Sequence, residues 1–256
     1  MLDEIVAHKK EEVAARKARV GPRDAASRAA DAPPPPDFTR ALAAPGVSVI
    51  AEIKGASPSA GTIRDGFDPV AVAGAYQAGG AAALSVLTDA RYFGGSWESL
   101  NRVCRASALP VLCKEFVVDA YQIDEARSAG AAAVLLIAAV LDGAQLREFL
   151  GRARGRGLAA LVEVHTPDEA AVAVDAGADI VGINNRDLST LRVDLGTTAR
   201  LRPMIPQGRL VVSESGFDRR EQVVQVERLG VDAVLIGTAL MASPDPAATL
   251  RQLRGA

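Results

Sequence analysis

Short apolar runs recur along this chain from residue 48 to residue 237, with amphipathic or Ala-rich stretches between them. Four runs follow a glycine directly. Gly80-Ala-Ala-Ala-Leu-Ser-Val-Leu resembles Gly130-Ala-Ala-Ala-Val-Leu-Leu-Ile, and both resemble Gly177-Ala-Asp-Ile-Val-Gly-Ile-Asn and Gly230-Val-Asp-Ala-Val-Leu-Ile-Gly. These glycines lie 50, 47 and 53 residues apart, a faint internal repeat. A glycine after an amphipathic segment reads as a helix C-cap. A short run that is apolar at every position reads as a strand covered on both faces, which is typical of parallel sheets. Four more runs, at 48–54, 110–115, 158–164 and 209–213, bring the number of predicted strands to eight. Asp68-Pro69 and Thr166-Pro167 mark helix starts, a capping side chain followed by Pro at the first helical position. Asp119, Asp142, Asp194 and Asp218 are candidate caps for other helices. Strand and helix alternating through eight units predict a (β/α)₈ barrel, an α/β TIM barrel, over residues 48–256. An open doubly wound sheet is the alternative, but no G-x-G-x-x-G turn follows the first strand.

Residues 1–47 precede the barrel and are predicted to form an N-terminal helical extension packed on it. Leu2, Ile5, Val6 and Val13 give residues 2–18 an apolar stripe with charged flanks. Pro33 to Pro36 form a stiff spacer, and Asp37 can cap a short helix over 38–43.

Composition narrows the function. Hydrophobic residues make up 49% of the 256 residues, aromatics only 4%, and the formal net charge is −2. A balanced charge argues against nucleic acid or a membrane surface as partner. Cys104 and Cys113 do not make a secreted disulfide framework, and no apolar run has membrane-spanning length, so a cytoplasmic location is expected. With only two histidines, triads and multi-histidine metal sites are nearly excluded, and no metal is expected. His8 reads as solvated and His165 as a rim residue.

Lysine is rare: five occur against 24 arginines, and beyond residue 17 only Lys54 and Lys114 remain. Each closes a predicted strand. An ammonium can lose its proton when desolvated and a guanidinium cannot, so these two are candidate acids, bases or anion anchors. In such barrels chemistry gathers at the C-terminal strand ends. Here those ends read Lys54, Thr88, Lys114, Ala138, Glu163, Asn184, Glu214 and Gly237. Strand alternation puts Glu52 one layer below Lys54, where a structural ion pair accounts for it as well as catalysis does. Glu163 ends an otherwise apolar run, a costly position for a carboxylate unless it is used or paired. Ser213-Glu-Ser-Gly216 and Ile236-Gly-Thr238 suit a phosphate at the last two strand ends. The Ser/Gly-rich loop 55–67 can move and cover a ligand.

Several motifs in order resemble the indole-3-glycerol-phosphate synthase family. They are Ile50-Ala-Glu-Ile-Lys-Gly-Ala-Ser-Pro-Ser-Ala-Gly, Leu87-Thr-Asp-Ala-Arg-Tyr-Phe-Gly-Gly-Ser, Leu112-Cys-Lys-Glu-Phe, Leu161-Val-Glu-Val-His, Gly182-Ile-Asn-Asn-Arg-Asp-Leu, Ser213-Glu-Ser-Gly and Leu235-Ile-Gly-Thr-Ala-Leu-Met. The resemblance covers essentially the whole chain. It implies ring closure, decarboxylation and dehydration of 1-(2-carboxyphenylamino)-1-deoxyribulose 5-phosphate to indole-3-glycerol phosphate, in tryptophan biosynthesis, with no cofactor. It gives Lys114 the role of acid toward the ketone oxygen and Lys54 that of partner to the aryl carboxylate, with a second role for Lys54 in dehydration. It implies an acid/base role for Glu163, with Glu52 as the other available carboxylate. Asn184, Arg186 and Glu214 match residues that contact substrate hydroxyls or organise the charges. Ser57, Gly216, Gly237 and Thr238 would hold the phosphate, with Ser215 near the substrate. Phe93, Phe116 and Leu135 would line an aromatic pocket, or else belong to the ordinary core. Three departures stand out: Glu115 where Asp is frequent, Gly55 and Ala60 where basic residues are frequent, and Thr238 where Ser is common. The expected partner is one phosphorylated small molecule, and the expected state a monomer, with a weak homodimer as alternative. The rival readings are phosphoribosylanthranilate isomerase or another phosphate-sugar barrel, a Schiff-base aldolase, and a non-catalytic phosphate-binding module.

Overall fold

The computed structural model describes residues 2–187 and 190–255. Eight parallel strands close into a barrel: β1 Ser48–Ile53, β2 Ala83–Leu87, β3 Val111–Lys114, β4 Ala133–Ile137, β5 Ala159–Val164, β6 Ile180–Asn184, β7 Leu210–Glu214 and β8 Ala233–Ile236. Each strand pairs with the next, and β1 closes the ring on β8 from Ser48↔Ala233 to Ala51↔Ile236. Closure rules out the doubly wound alternative.

Alternation along the strands sorts their side chains into two cores. Val49, Ala51 and Ile53 of β1 face outward and pack with Val72, Tyr76 and the other inward faces of the surrounding helices. Ile50 faces inward and joins Leu112, Leu135, Leu161, Ile180, Val212 and Leu235. The barrel is filled by side chains through most of its length and opens at the C-terminal strand ends.

Three helices precede β1: α1 Leu2–Arg19, α2 Pro22–Asp31 and α3 Phe38–Leu42. The sequence pattern gives α1 and α3 but not α2. That helix has no large apolar side chain and buries Ala25 and Ala29 instead. Around the barrel run α4 Pro69–Ala78, α5 Ala90–Phe93, α6 Trp97–Ala106, α7 Tyr121–Ser128, α8 Gly143–Gly155, α9 Pro167–Asp175, α10 Gly196–Leu201, α11 Arg220–Glu227, α12 Thr238–Met241 and α13 Pro246–Arg254. Most of the anticipated capping residues accept backbone N–H bonds at helix starts. Asp142 accepts from Ala144 and Gln145 at 2.9 Å, and Thr166 from Glu169 at 3.2 Å. Asp218 does not cap. The Gln222 side-chain oxygen takes the N–H groups of both Asp218 and Arg219, so the first turn of α11 is closed from within.

The N-terminal segment spans the barrel from mouth to floor. At the mouth, Ile5 of α1 packs in the inner core with Phe116 and Leu135. Lys9 is 1% exposed, with Nζ at 2.6 Å from Glu12, 2.9 Å from Asp89 and 3.0 Å from Glu115. Next to it Arg16 meets Glu125 at 3.0 Å and Lys17 meets Asp119 at 2.5 Å. Below, Arg127 of α7 donates to the Ala32 carbonyl just past α2 at 2.7 Å. At the floor, Phe38 and Leu42 of α3 are buried in the inner core, and the Ser48 hydroxyl donates to the Ala41 carbonyl. His8 is partly exposed, with its ring edge-on to Tyr92 and Nε2 3.4 Å from Glu12. Among the described residues no helix is long and apolar enough to cross a membrane.

Candidate active site

A cavity of about 810 Å³ opens at the C-terminal strand ends. All fifteen site residues anticipated from sequence line it, from Glu52 and Lys54 through Lys114 and Glu163 to Gly237 and Thr238. Strand geometry makes this so: Lys54, Lys114, Glu163, Asn184 and Glu214 stand at or one step beyond the ends of inward-facing rows.

The charged floor is built from two lysines and three carboxylates. Lys114 Nζ lies 2.8 Å from Glu163 and 2.7 Å from Glu214. Lys54 Nζ lies 2.6 Å from Glu52. Two glycines make room for these pairs. A Cβ on Gly182 of β6 would sit 2.2 Å from a Glu214 oxygen. A Cβ on Gly237 would sit 2.5 Å from Glu52 and 3.1 Å from Lys54 Nζ. At both positions the absence of a side chain leaves the space in which a charged residue of the site lies.

Burial lowers the proton affinity of Lys114, but the carboxylates of Glu163, Glu214 and Glu52 more than offset it and hold the ammonium charged. The two carboxylates sharing that ammonium part company. Glu214 is raised to about 7, first by burial and then by the neighbouring charges of Glu163 and Glu52. One of its oxygens is buried without a hydrogen-bond partner. Glu163 is lowered: burial works against its charge, but Lys114, His165 and a hydrogen bond from Asn184 outweigh it. The site thus holds one firm carboxylate, one that titrates near neutrality, and a fixed ammonium between them.

Apolar and polar walls face each other across this floor. Phe93 and Phe116 pack on each other with ring centroids 5.9 Å apart, and with Leu135 they form one apolar wall of the cavity. Leu2 and Ile5 of α1 complete this wall. Opposite stand Ser57, Ser215, Gly216, Gly237 and Thr238. Ser215 and Gly216 are both left-handed, with φ of 68° and 92°, which bends the chain sharply after β7. Thr238 opens α12 with Gly237 as its N-cap. Small residues and a helix start on this side leave space for an anion. Ser57 is buried in a two-residue hairpin, Ala56–Ser57 against Gly61–Thr62, that gives order to the first loop. The Arg186 guanidinium is drawn aside to the Leu191 carbonyl at 2.9 Å, while its backbone N–H donates to Asn184.

The lining residues that sequence reasoning missed include Leu2, Ile5 and Leu191. The first two lay on a recognised apolar stripe, but nothing in that stripe says it crosses a cavity. It also read His165 as a rim residue, whereas the ring is 11% exposed and stands directly behind Glu163.

A family model described as indole-3-glycerol phosphate synthase matches residues 2–253. Curated relatives named indole-3-glycerol phosphate synthase include one from Roseiflexus sp. (strain RS-1), 44% identical over 100% of this chain and 98% of its own. Another, from Mycobacterium ulcerans (strain Agy99), is 46% identical over 99% of this chain and 93% of its own. A third, from Dehalococcoides mccartyi (strain CBDB1), is 49% identical over 86% of each. Among solved structures, 3-hexulose-6-phosphate synthase from Salmonella typhimurium superposes with a TM-score of 0.66 at 15% identity, covering 82% of this chain and 97% of that one. A mutant tryptophan synthase alpha-subunit from Pyrococcus furiosus gives 0.63 at 17% identity, over 82% and 99%. At such identities these likenesses concern the barrel alone.

Proposed function

The chain belongs to the indole-3-glycerol phosphate synthase family, and from that membership we propose how its residues divide the work of the reaction. The activity is that of a carboxy-lyase: the substrate's arylamine ring closes on its ketone, carbon dioxide and water leave, and indole-3-glycerol phosphate forms.

In ring closure, the ring carbon that bears the carboxylate bonds to the ketone carbon, and the ketone oxygen becomes an alkoxide. Lys114 gives that oxygen its proton. The observation that carries this role is its ammonium, held charged at the cavity floor by Glu163 and Glu214 at 2.8 and 2.7 Å. The aryl carboxylate is met by Lys54 until the carbon–carbon bond breaks and its electrons return to the ring. Dehydration needs an acid for the departing hydroxyl and a base for the proton of the neighbouring carbon. Glu163, firmly ionised, is the base. Lys54, close to Glu52, is the acid of this step. Asn184 orients Glu163, and Glu214 takes up charge as protons move. Phe93, Phe116 and Leu135 offer the aryl ring one apolar wall, while Ser57, Gly216, Gly237 and Thr238 take the phosphate, with Ser215 and Arg186 toward the ribulose chain. Residues 1–47 serve as an extension of the 48–256 barrel and finish the aromatic wall. Every one of these groups comes from a single chain, which supports a working monomer. Two unpaired cysteines support a reducing, cytoplasmic setting.

A Schiff-base mechanism would need a neutral lysine, and the carboxylates around Lys114 oppose one. Purified protein should convert the substrate with a rise in indole fluorescence. Lys114→Ala should lower kcat by about 10²–10⁴-fold, the usual worth of a positioned acid, with an unchanged circular dichroism spectrum. Near-normal turnover by that variant, or a borohydride-trapped lysine with substrate, would remove Lys114 from this role.

A further inference from the structure

Behind Glu163, away from the cavity, His165 stands between two carboxylates. β5 ends at Val164, and the next residue turns its ring back toward the barrel. Nε2 lies 3.4 Å from Glu163 Oε1, and Nδ1 lies 3.2 Å from Glu169 Oε2. Glu169 sits in the first turn of α9 and is fixed there, because the same oxygen also accepts the His165 backbone N–H at 2.8 Å. Thr166 caps that turn through the Glu169 N–H. The histidine is therefore clamped at its backbone and at Nδ1 by the helix that follows it, and its ring cannot swing away without losing the Glu169 contact.

The two oxygens of Glu163 are divided. Oε2 faces Lys114 and Oε1 faces His165. A neutral imidazole carries one N–H, so one of its nitrogens would point a lone pair at a carboxylate. An imidazolium presents a donor to each. His165 Nε2 is buried with no hydrogen-bond partner at its present distance, and a shift of a few tenths of an ångström would bring it onto Oε1. His165 does not line the cavity, so a change there removes no substrate contact.

We propose that His165, charged and clamped by Glu169, is a positioning residue that holds Glu163 as an oriented carboxylate and sets the pH range of the reaction. The proposal rests on Glu163 acting as a base. The charged groups around the ring are Glu163 on its own strand, Glu169 on α9 and Glu214 on β7, with Lys114 of β3 beyond Glu163. Burial disfavours the imidazolium, but the Glu169 hydrogen bond and the charges of Glu163, Glu169 and Glu214 raise its proton affinity above the ordinary histidine value. Glu169 is lowered in turn: burial opposes its charge, and its bonds to His165 prevail.

Only two histidines occur in the chain, so nitrogen-15 NMR of the wild-type protein, with His8→Gln for assignment, can read His165 directly. Both ring nitrogens should be protonated at pH 7, and a neutral tautomer there would overturn the proposal. Kinetics give the second arm. His165→Gln should move the acid limb of kcat/KM upward by about one pH unit or more, as expected for loss of a cation near a carboxylate. It should lower kcat at pH 7 about tenfold and change KM less than twofold. Glu169→Gln should shift the same limb in the same direction by less. An unshifted profile in His165→Gln, whatever its thermal stability, would overturn the proposal and leave the roles of Lys114 and Glu163 standing. Full activity of Glu163→Gln would instead remove Glu163 as the base, and with it the reading on which the proposal rests.

Discussion

At the scale of the residue, the two lysines that stand out in an arginine-rich chain meet different surroundings. Lys54 has one carboxylate at 2.6 Å, and Lys114 has two. The same ammonium that keeps Glu163 ionised cannot do so fully for Glu214, whose folded-state affinity of about 7 exceeds the ordinary value of 4.5. The sign of the linkage follows. The folded state binds the extra proton between those two values, so the protein loses stability as pH rises through that window. Glu214→Gln lacks this titration. Its melting temperature relative to the parent should therefore be higher at pH 8 than at pH 5. A calorimetric difference independent of pH would contradict the raised affinity. The strand-end residues are legible in the sequence because a charged side chain closing an apolar run has few uses. His165 is not, because its place depends on Glu169 folding back from the next helix onto the turn before it.

At the scale of the element, the glycine-then-apolar repeat gives four of the eight strands, since a helix must stop before a strand can enter the barrel, and four further apolar runs give the rest. The helix α2 and the Ala56–Ser57 hairpin escape that reading: the one packs through alanines, and the other is held by turn geometry in a loop of small residues. Register carries a further lesson. Gly182 of β6 pairs with Val212 of β7, and its missing side chain is the space in which Glu214 lies. Gly182→Ala should push the Glu214 carboxylate off Lys114 and lower kcat at least tenfold, at a cost of about 1 kcal/mol in stability from overpacking. Steady-state kinetics beside a urea titration would separate the two. Unchanged kcat would mean that Glu214 is not needed where it lies.

At the scale of the molecule, the barrel depends on the segment that precedes it. An apolar stripe in residues 2–18 is visible in the sequence, but a lysine on it reads as surface charge, and only the folded arrangement buries Lys9 among Glu12, Asp89 and Glu115. Lys9→Met should cost about 3 kcal/mol at pH 7.5, because it leaves buried carboxylates unpaired. The loss should be smaller at pH 5 than at pH 7.5, because burial raises the proton affinity of Glu115 and a carboxylate stripped of Lys9 is neutralised more readily as pH falls. The exposed pair Arg154–Asp179 is the control: Asp179→Ala should change stability by less than about 1 kcal/mol. Urea unfolding at both pH values would check all three. These contacts are also remote along the chain. Lys9 and Glu115 lie 106 positions apart, and Arg16 and Glu125 lie 109 apart. A ribosome adds roughly 5–20 residues each second. Helix α1 is thus translated many seconds before the surface that will receive it. Until Phe116 and Tyr121 emerge, Ile5 and Val13 lack the surfaces that bury them, and the nascent chain carries this half-covered helix through the first half of its own synthesis.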